Sequence, residues 1–136
     1  MYCQEKLDSV EKLDAFLSIP HEGVVEMMKR LPGDIMILGI AGKMGVTMGM
    51  QAVEAIKKAG VDKKVYGVAR FSNPEERTKL DKAGVITIAC DLSDREQVNR
   101  LPQIPNVIFI YWPEKMHPLL SAARLLQAGI ECLHHL

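Results

Sequence analysis

The stretch "DIMILGIAGKMG", residues 34–45, constrains the fold more than any other part of the chain. Its apolar run is unbroken rather than alternating, which suits a strand covered on both faces. Three glycines follow, Gly39, Gly42 and Gly45, at G-x-x-G-x-x-G spacing. Residues 44–59, "MGVTMGMQAVEAIKKA", then carry a helical pattern that stops at Gly60. A buried strand that turns through glycines into a helix is the start of a βαβ unit.

The alternation continues along the chain. "KKVYGVAR" reads as a second strand. "SNPEERTKLDKAG" reads as a helix, with Asn73 as N-cap, Pro74 at the first helical position, Glu76 three residues after the cap and Gly84 at the end. "VITIAC" is a third strand, "SDREQVNRL" a short helix capped by Ser93 or Asp94, and "NVIFIYW" a fourth strand. Residues 114–128 suit a further helix ending at Gly129, and "IECL" a fifth short strand. The fold expected is α/β: a three-layer, Rossmann-like parallel sheet of order 3-2-1-4 with right-handed crossovers. Ahead of it, residues 1–33 form a helical leader. Leu7, Val10, Leu13 and Leu17 predict an amphipathic helix over 4–18, and a second helix spans 22–31 before Pro32-Gly33. The leader carries no motif and is expected to pack on the domain of residues 34–136, whose tail is atypical from about residue 111.

Composition limits the function classes. The chain has 136 residues, one ordinary domain, with 17 Lys plus Arg against 17 Asp plus Glu. That balance argues against a sequence-independent nucleic-acid binder, which needs a basic face. Cys3, Cys90 and Cys132 form no C-x-x-C pair and are odd in number, so reduced thiols in a cytoplasm are expected. The charged start "MYCQEKLDSVEKLDAF" lacks a signal-peptide core, and the apolar runs near 35–42 and 104–112 are far short of a membrane span. His134-His135 are adjacent, while His21 and His117 stand beside prolines, so no metal set is expected. Met44, Met48 and Met50 read as packing residues on or near the first helix.

The glycine loop suits an anion. Gly39 can take a backbone angle that a side chain forbids. Gly42 leaves room for phosphates to approach, Gly45 lets the helix pack closely, and the helix start offers unpaired N–H groups. Gly39, Ala41, Gly42, Lys43, Met44 and Gly45 are the candidate pyrophosphate site. A P-loop needs G-x-x-x-x-G-K-[ST]; here Met44 stands where the Ser/Thr would hold magnesium, and the spacing is wrong. A kinase glycine loop lies in a hairpin, whereas a helix follows here. A glycine-rich turn with no ligand is the plainer alternative.

At the end of the second strand, where a carboxylate would mark NAD, stands Arg70. Its fork suits a 2′-phosphate, and the nearest acid, Asp62, precedes the strand, so NADP is favoured over NAD. A solvated surface arginine is the alternative. In "CDLSD", Asp91 is placed to accept a hydrogen bond from the adenine amino group, with Leu92 against the ring. Asp91 could instead cap the next helix, as could Ser93 or Asp94.

In order, "ILGIAGKMG", "VYGVAR", "CDLSD" and "NVIFI" resemble the extended short-chain dehydrogenase/reductase family, in its NAD-dependent epimerase/dehydratase branch, over residues 34–110. The resemblance implies a Rossmann fold binding NAD(P), with Gly39, Gly42 and Gly45 at the pyrophosphate, Arg70 near the adenosine ribose and Asp91 at the adenine. It implies hydride transfer on nucleotide sugars or other hydroxyl- or carbonyl-bearing small molecules. The match stops after the fourth strand, where Tyr111-Trp112-Pro113 replaces the family's small-residue turn beside the nicotinamide. The family's later Ser/Thr and Tyr-x-x-x-Lys pair are not found. "YWPEK" does place Lys115 four residues after Tyr111, but at a strand end and across Pro113, so the two need not share a face and packing is expected.

The chain is thus expected to be the cofactor half of such an oxidoreductase or epimerase, with its catalytic residues and substrate region lacking. A genuine variant, a truncated product and a shifted reading frame would each give this tail. A stand-alone dinucleotide-binding sensor or regulatory module is one alternative. A dihydrodipicolinate reductase-like dehydrogenase, drawn from "GKMG" and the "PE" after the fourth strand, is another. A half-sheet presents an edge and an apolar face, so self-association, or cover by the leader helices, is expected.

Overall fold

The computed structural model describes residues 6–110. The expected helix over 114–128, the "IECL" strand, Tyr111, Trp112, Lys115, Cys3, Cys132, His117 and His134-His135 lie outside the described residues. Four strands, β1 (Ile35–Leu38), β2 (Val65–Ala69), β3 (Ile86–Ala89) and β4 (Asn106–Phe109), form one parallel sheet in the order β3-β2-β1-β4. Helices α3 (Lys43–Ala59), α4 (Pro74–Ala83) and α5 (Arg95–Asn99) connect them. This is the Rossmann-like topology expected from the alternation.

Local chemistry sets the boundaries. β1 is buried at all four positions, as its unbroken apolar run requires. Asn73 caps α4 by accepting from the Glu75 N–H at 3.0 Å, and Pro74 opens the helix. Gly60 and Gly84 close α3 and α4 in left-handed conformations, with φ of 67° and 101°.

The sheet has two different covers. On one face, Ile35, Ile37 and Val65 pack with Val46, Val53 and Ile56 of α3, Leu80 of α4, and Ile40 and Val85 from the loops. On the other face, Met36, Leu38 and Val68 meet Cys90 and Leu92, with Val98 of α5, Leu101 and Ile104 at the edge of the cluster. That reversal follows from the strand order. The chain steps outwards from β1 to β3, then returns across β1 to β4, and a right-handed return puts its helix on the opposite face.

The leader divides into a docked and an undocked helix. α2 (Glu22–Arg30) buries Met28 in the first core, and Lys63 Nζ donates to the carbonyls of Leu31 and Gly33 just past its end. α1 (Val10–Leu17) begins later than the expected residue 4. Ser9 is extended (φ −142°) and its hydroxyl accepts from the Lys12 N–H, so it is the N-cap and residues 6–8 precede the helix. The expected packing of α1 is also largely unmet: none of its residues is buried, and Val10, Leu13, Phe16 and Leu17 stay exposed. Its ties are polar: Gln51 Nε2 to the Leu17 and Ile19 carbonyls, and Lys79 to Asp14 at 3.2 Å.

Candidate functional site

Parallel register brings the carboxyl ends of the strands level, pairing Leu38 with Val68 and Ala69 with Ala89. Gly39, Arg70 and Asp91 therefore follow the ends of three neighbouring strands along one rim. In open α/β sheets ligands bind outside this edge, where the strand order reverses. Here the reversal falls at β1, between β2 and β4.

The loop leaves β1 by hooking over β2. Gly39 has φ 82°, and the N–H groups of Gly39 and Ile40 both donate to the Val68 carbonyl, at 2.8 and 3.2 Å. This turns the Ile40 side chain inwards, where it is fully buried. A Cβ on Gly45 would lie 2.1 Å from the Ile40 carbonyl oxygen. A Cβ on Gly49 or Gly67 would lie 2.8 Å from Ile40 Cδ1. Three glycines from α3 and β2 thus form a slot for one isoleucine. Gly45 does let the helix pack closely, but onto the loop's own Ile40. Gly49 and Gly67 were not singled out in the sequence; the only signal was a second glycine four residues along the helix.

Gly42 is the N-cap of α3, with φ 116° and no side-chain cap. Among the described residues, a Cβ there would meet nothing within 4 Å. The first turn of α3 holds no acid, and Lys43 beside it is exposed. The open N–H groups of the helix start and one ammonium make this a place where negative charge is favoured. Ala41 is half-buried, whereas Met44 is 78% exposed rather than packed.

Arg70, one residue past β2, is exposed. Asp91 does not cap α5; Asp94 does, accepting from the Glu96 and Gln97 N–H groups at 3.0 and 3.5 Å. Asp91 Oδ1 accepts from the Ser93 hydroxyl at 2.6 Å and the Ser93 N–H at 2.9 Å. Those bonds, with the Arg70 charge adding to them, hold the Asp91 carboxyl below the usual carboxylate range. The Asp91 N–H donates to Gln97 Oε1 at 2.9 Å. Leu92 is buried in the second core, so the rim around Asp91 presents carboxyl rather than leucine. Cys90 is buried beside it, and burial, with the charges of Asp91 and Asp94, pushes its thiol up.

A recess of about 420 Å³ lies against β3 and α5, lined by Ile88, Cys90, Asp94, Gln97 and Arg100 among others. None of the loop residues, Arg70 or Asp91 lines it. Among the described residues, no three His, Cys, Asp or Glu side chains gather as a metal site, and no helix is long and apolar enough to cross a membrane. No protein-family model matches the chain, and no curated protein matches it.

Proposed function

We propose that the chain binds a nicotinamide dinucleotide, NADP in preference to NAD, with the pyrophosphate over the start of α3. One observation carries the reading: Gly42 opens a helix with no side-chain cap, clear of the other described residues, on the rim that also holds Arg70 and Asp91. Gly39, Ala41, Gly42, Lys43, Met44 and Gly45 would surround the pyrophosphate. Arg70 would take the 2′-phosphate, since a guanidinium fork matches it and it stands at the end of β2, where an acid would favour NAD. Asp91 would accept from the adenine amino group, its Ser93 bonds keeping it ionised, with Leu92 beneath.

The motif order supports placing this module with the cofactor half of an epimerase/dehydratase-type oxidoreductase. Titration with NADPH, NADH and ADP-ribose tests the reading. NADPH should bind most tightly, ADP-ribose should show that the adenosine and pyrophosphate suffice for binding, and Arg70→Met should remove the preference for NADPH. Absence of binding by all three sinks the proposal.

A further inference from the structure

We infer that Arg77 is a positioning residue for Arg70: stacked over Phe71, it locks the β2–α4 turn and so sets where Arg70 meets the 2′-phosphate of NADP. The inference rests on the dinucleotide reading above. Phe71, the residue after Arg70, has φ 52°, the only positive φ of a non-glycine among the described residues. A bulky side chain disfavours that conformation, which persists only where its surroundings over-determine it.

Two sets of contacts do so here. The ring packs at the edge of the first core. The Arg77 guanidinium carbon lies 5.5 Å from the ring centroid, within cation–π range. Arg77 is itself fixed: its Nε–H donates to Thr87 Oγ1 at 3.0 Å, and the Thr87 hydroxyl donates to Asp81 Oδ1 at 2.7 Å. A guanidinium cannot accept and a carboxylate cannot donate, so the one hydroxyl runs this chain in a single sense. Residues of α4 and β3 thereby hold the turn that carries Arg70. The Arg77 Nε–H is committed to the hydroxyl and its guanidinium plane to the ring, which ties its first role to the turn; the double variant below separates that role from direct contact with a ligand.

The test measures dissociation constants for NADPH and NADH with the full chain and with Arg70→Met, Arg77→Met, Thr87→Val, Thr87→Ser and the Arg70→Met/Arg77→Met double variant. Arg70→Met should weaken NADPH by about ten- to a hundred-fold, the worth of a charged hydrogen bond. Arg77→Met and Thr87→Val should each weaken it by about five-fold, with NADH changed less than about two-fold. Thr87→Ser keeps the hydroxyl and should keep the wild-type preference. In the Arg70→Met background, Arg77→Met should have no further effect on NADPH.

Equal losses for both cofactors would make Arg77 merely structural and overturn the inference. So would a full effect of Arg77→Met in the absence of Arg70, which would mean direct contact. A wild type with no preference that Arg70→Met can remove overturns the 2′-phosphate reading and the inference together. A preference that depends on Arg70 but survives both Arg77→Met and Thr87→Val overturns the inference alone.

Discussion

On the face that carries Ile35, Ile37 and Val65, the sheet is covered by α2, by the 17 residues of α3 and by the 10 of α4; on the opposite face Met36, Leu38 and Val68 lie near the five residues of α5, none of them buried. The first cover works by burial. Glycines at 45, 49 and 67 let helix, loop and strand close to contact distance around Ile40. The second is a smaller apolar cluster whose edge carries a local hydrogen-bond network over residues 91–97: Asp91 with Ser93, Gln97 with Asp91 and Asp94, and Asp94 with the start of α5. Apolar burial scales with area and is insensitive to pH, whereas exposed hydrogen bonds contribute little each and those to carboxylates titrate. The glycine loop proposed to hold the pyrophosphate grows from the well-covered face. Asp91 stands at the rim of the thin one.

The largest effect should come from deleting apolar volume under the thick cover. Ile37 is fully buried there, so Ile37→Ala should cost about 2–5 kcal/mol in urea unfolding. Leu92→Ala, in the smaller cluster, should fall at or below about 2 kcal/mol, because a thin cover can collapse onto the gap. Equal losses would break the comparison.

Next comes Gly45→Ala, whose methyl must displace the Ile40 backbone. It should cost about 1–3 kcal/mol and lower dinucleotide affinity together. Gly42→Ala separates the two readouts. Its methyl meets no atom of the described residues, so stability falls through its backbone angles, φ 116° and ψ 166°, a region kept almost wholly to glycine, by about 1–3 kcal/mol, while the methyl occupies the space proposed for the pyrophosphate. Retained affinity in a folded Gly42→Ala variant would move the pyrophosphate away from the start of α3. On the thin face, Ile86 is 41% exposed and Ile86→Thr keeps a β-branched side chain. Stability should change by less than about 0.5 kcal/mol; a loss near that of Ile37→Ala would mean that this face is covered in solution.

Most of the thick face could be read from residue order. Asn73-Pro74 and Gly84 bounded α4, Gly60 closed α3, and the unbroken apolar run of β1 announced burial on both sides. The order 3-2-1-4 followed from the Rossmann-like alternation of strands and helices, and crossover handedness then put α5 on the opposite face. What escaped was set by three-dimensional fit. Ile40 sits between two of the motif's glycines and reads as a loop residue, yet it fills the slot that Gly45, Gly49 and Gly67 leave. Phe71 takes a left-handed conformation with no glycine or asparagine to signal it. Leu7, Val10, Leu13 and Leu17 hold a helical period, but period alone does not say whether a partner surface exists. Ser9, a capping residue inside that pattern, was the available sign that the helix begins late. For Asp91, sequence left two roles open, and the structure removed one by giving the cap to Asp94.

The smallest expected effect is a pH dependence confined to the thin face. The folded-state pKa of Asp91 is lowered, first by the Ser93 hydroxyl. That of Asp94 is lowered first by the Gln97 side chain. A carboxyl whose pKa is lower in the folded than in the unfolded chain lends stability above the unfolded value of about 4, and loses it as pH falls through the folded value. Asp94 is exposed and Asp91 half-buried at the rim with its carboxyl open to solvent, so screening keeps the contribution small. Urea midpoints for the wild type should therefore drop between neutral pH and about pH 3, and Asp91→Asn should lessen that drop while lowering the neutral-pH midpoint slightly. Fluorescence of a probe near α5 should move before far-UV ellipticity, because loss of this network loosens α5 while α3 and α4 stay closed over Ile37. Coincident acid transitions by the two probes, or a drop in Asp91→Asn identical to the wild type's, would show that the two faces unfold as one and that the polar network does not govern the thinner one.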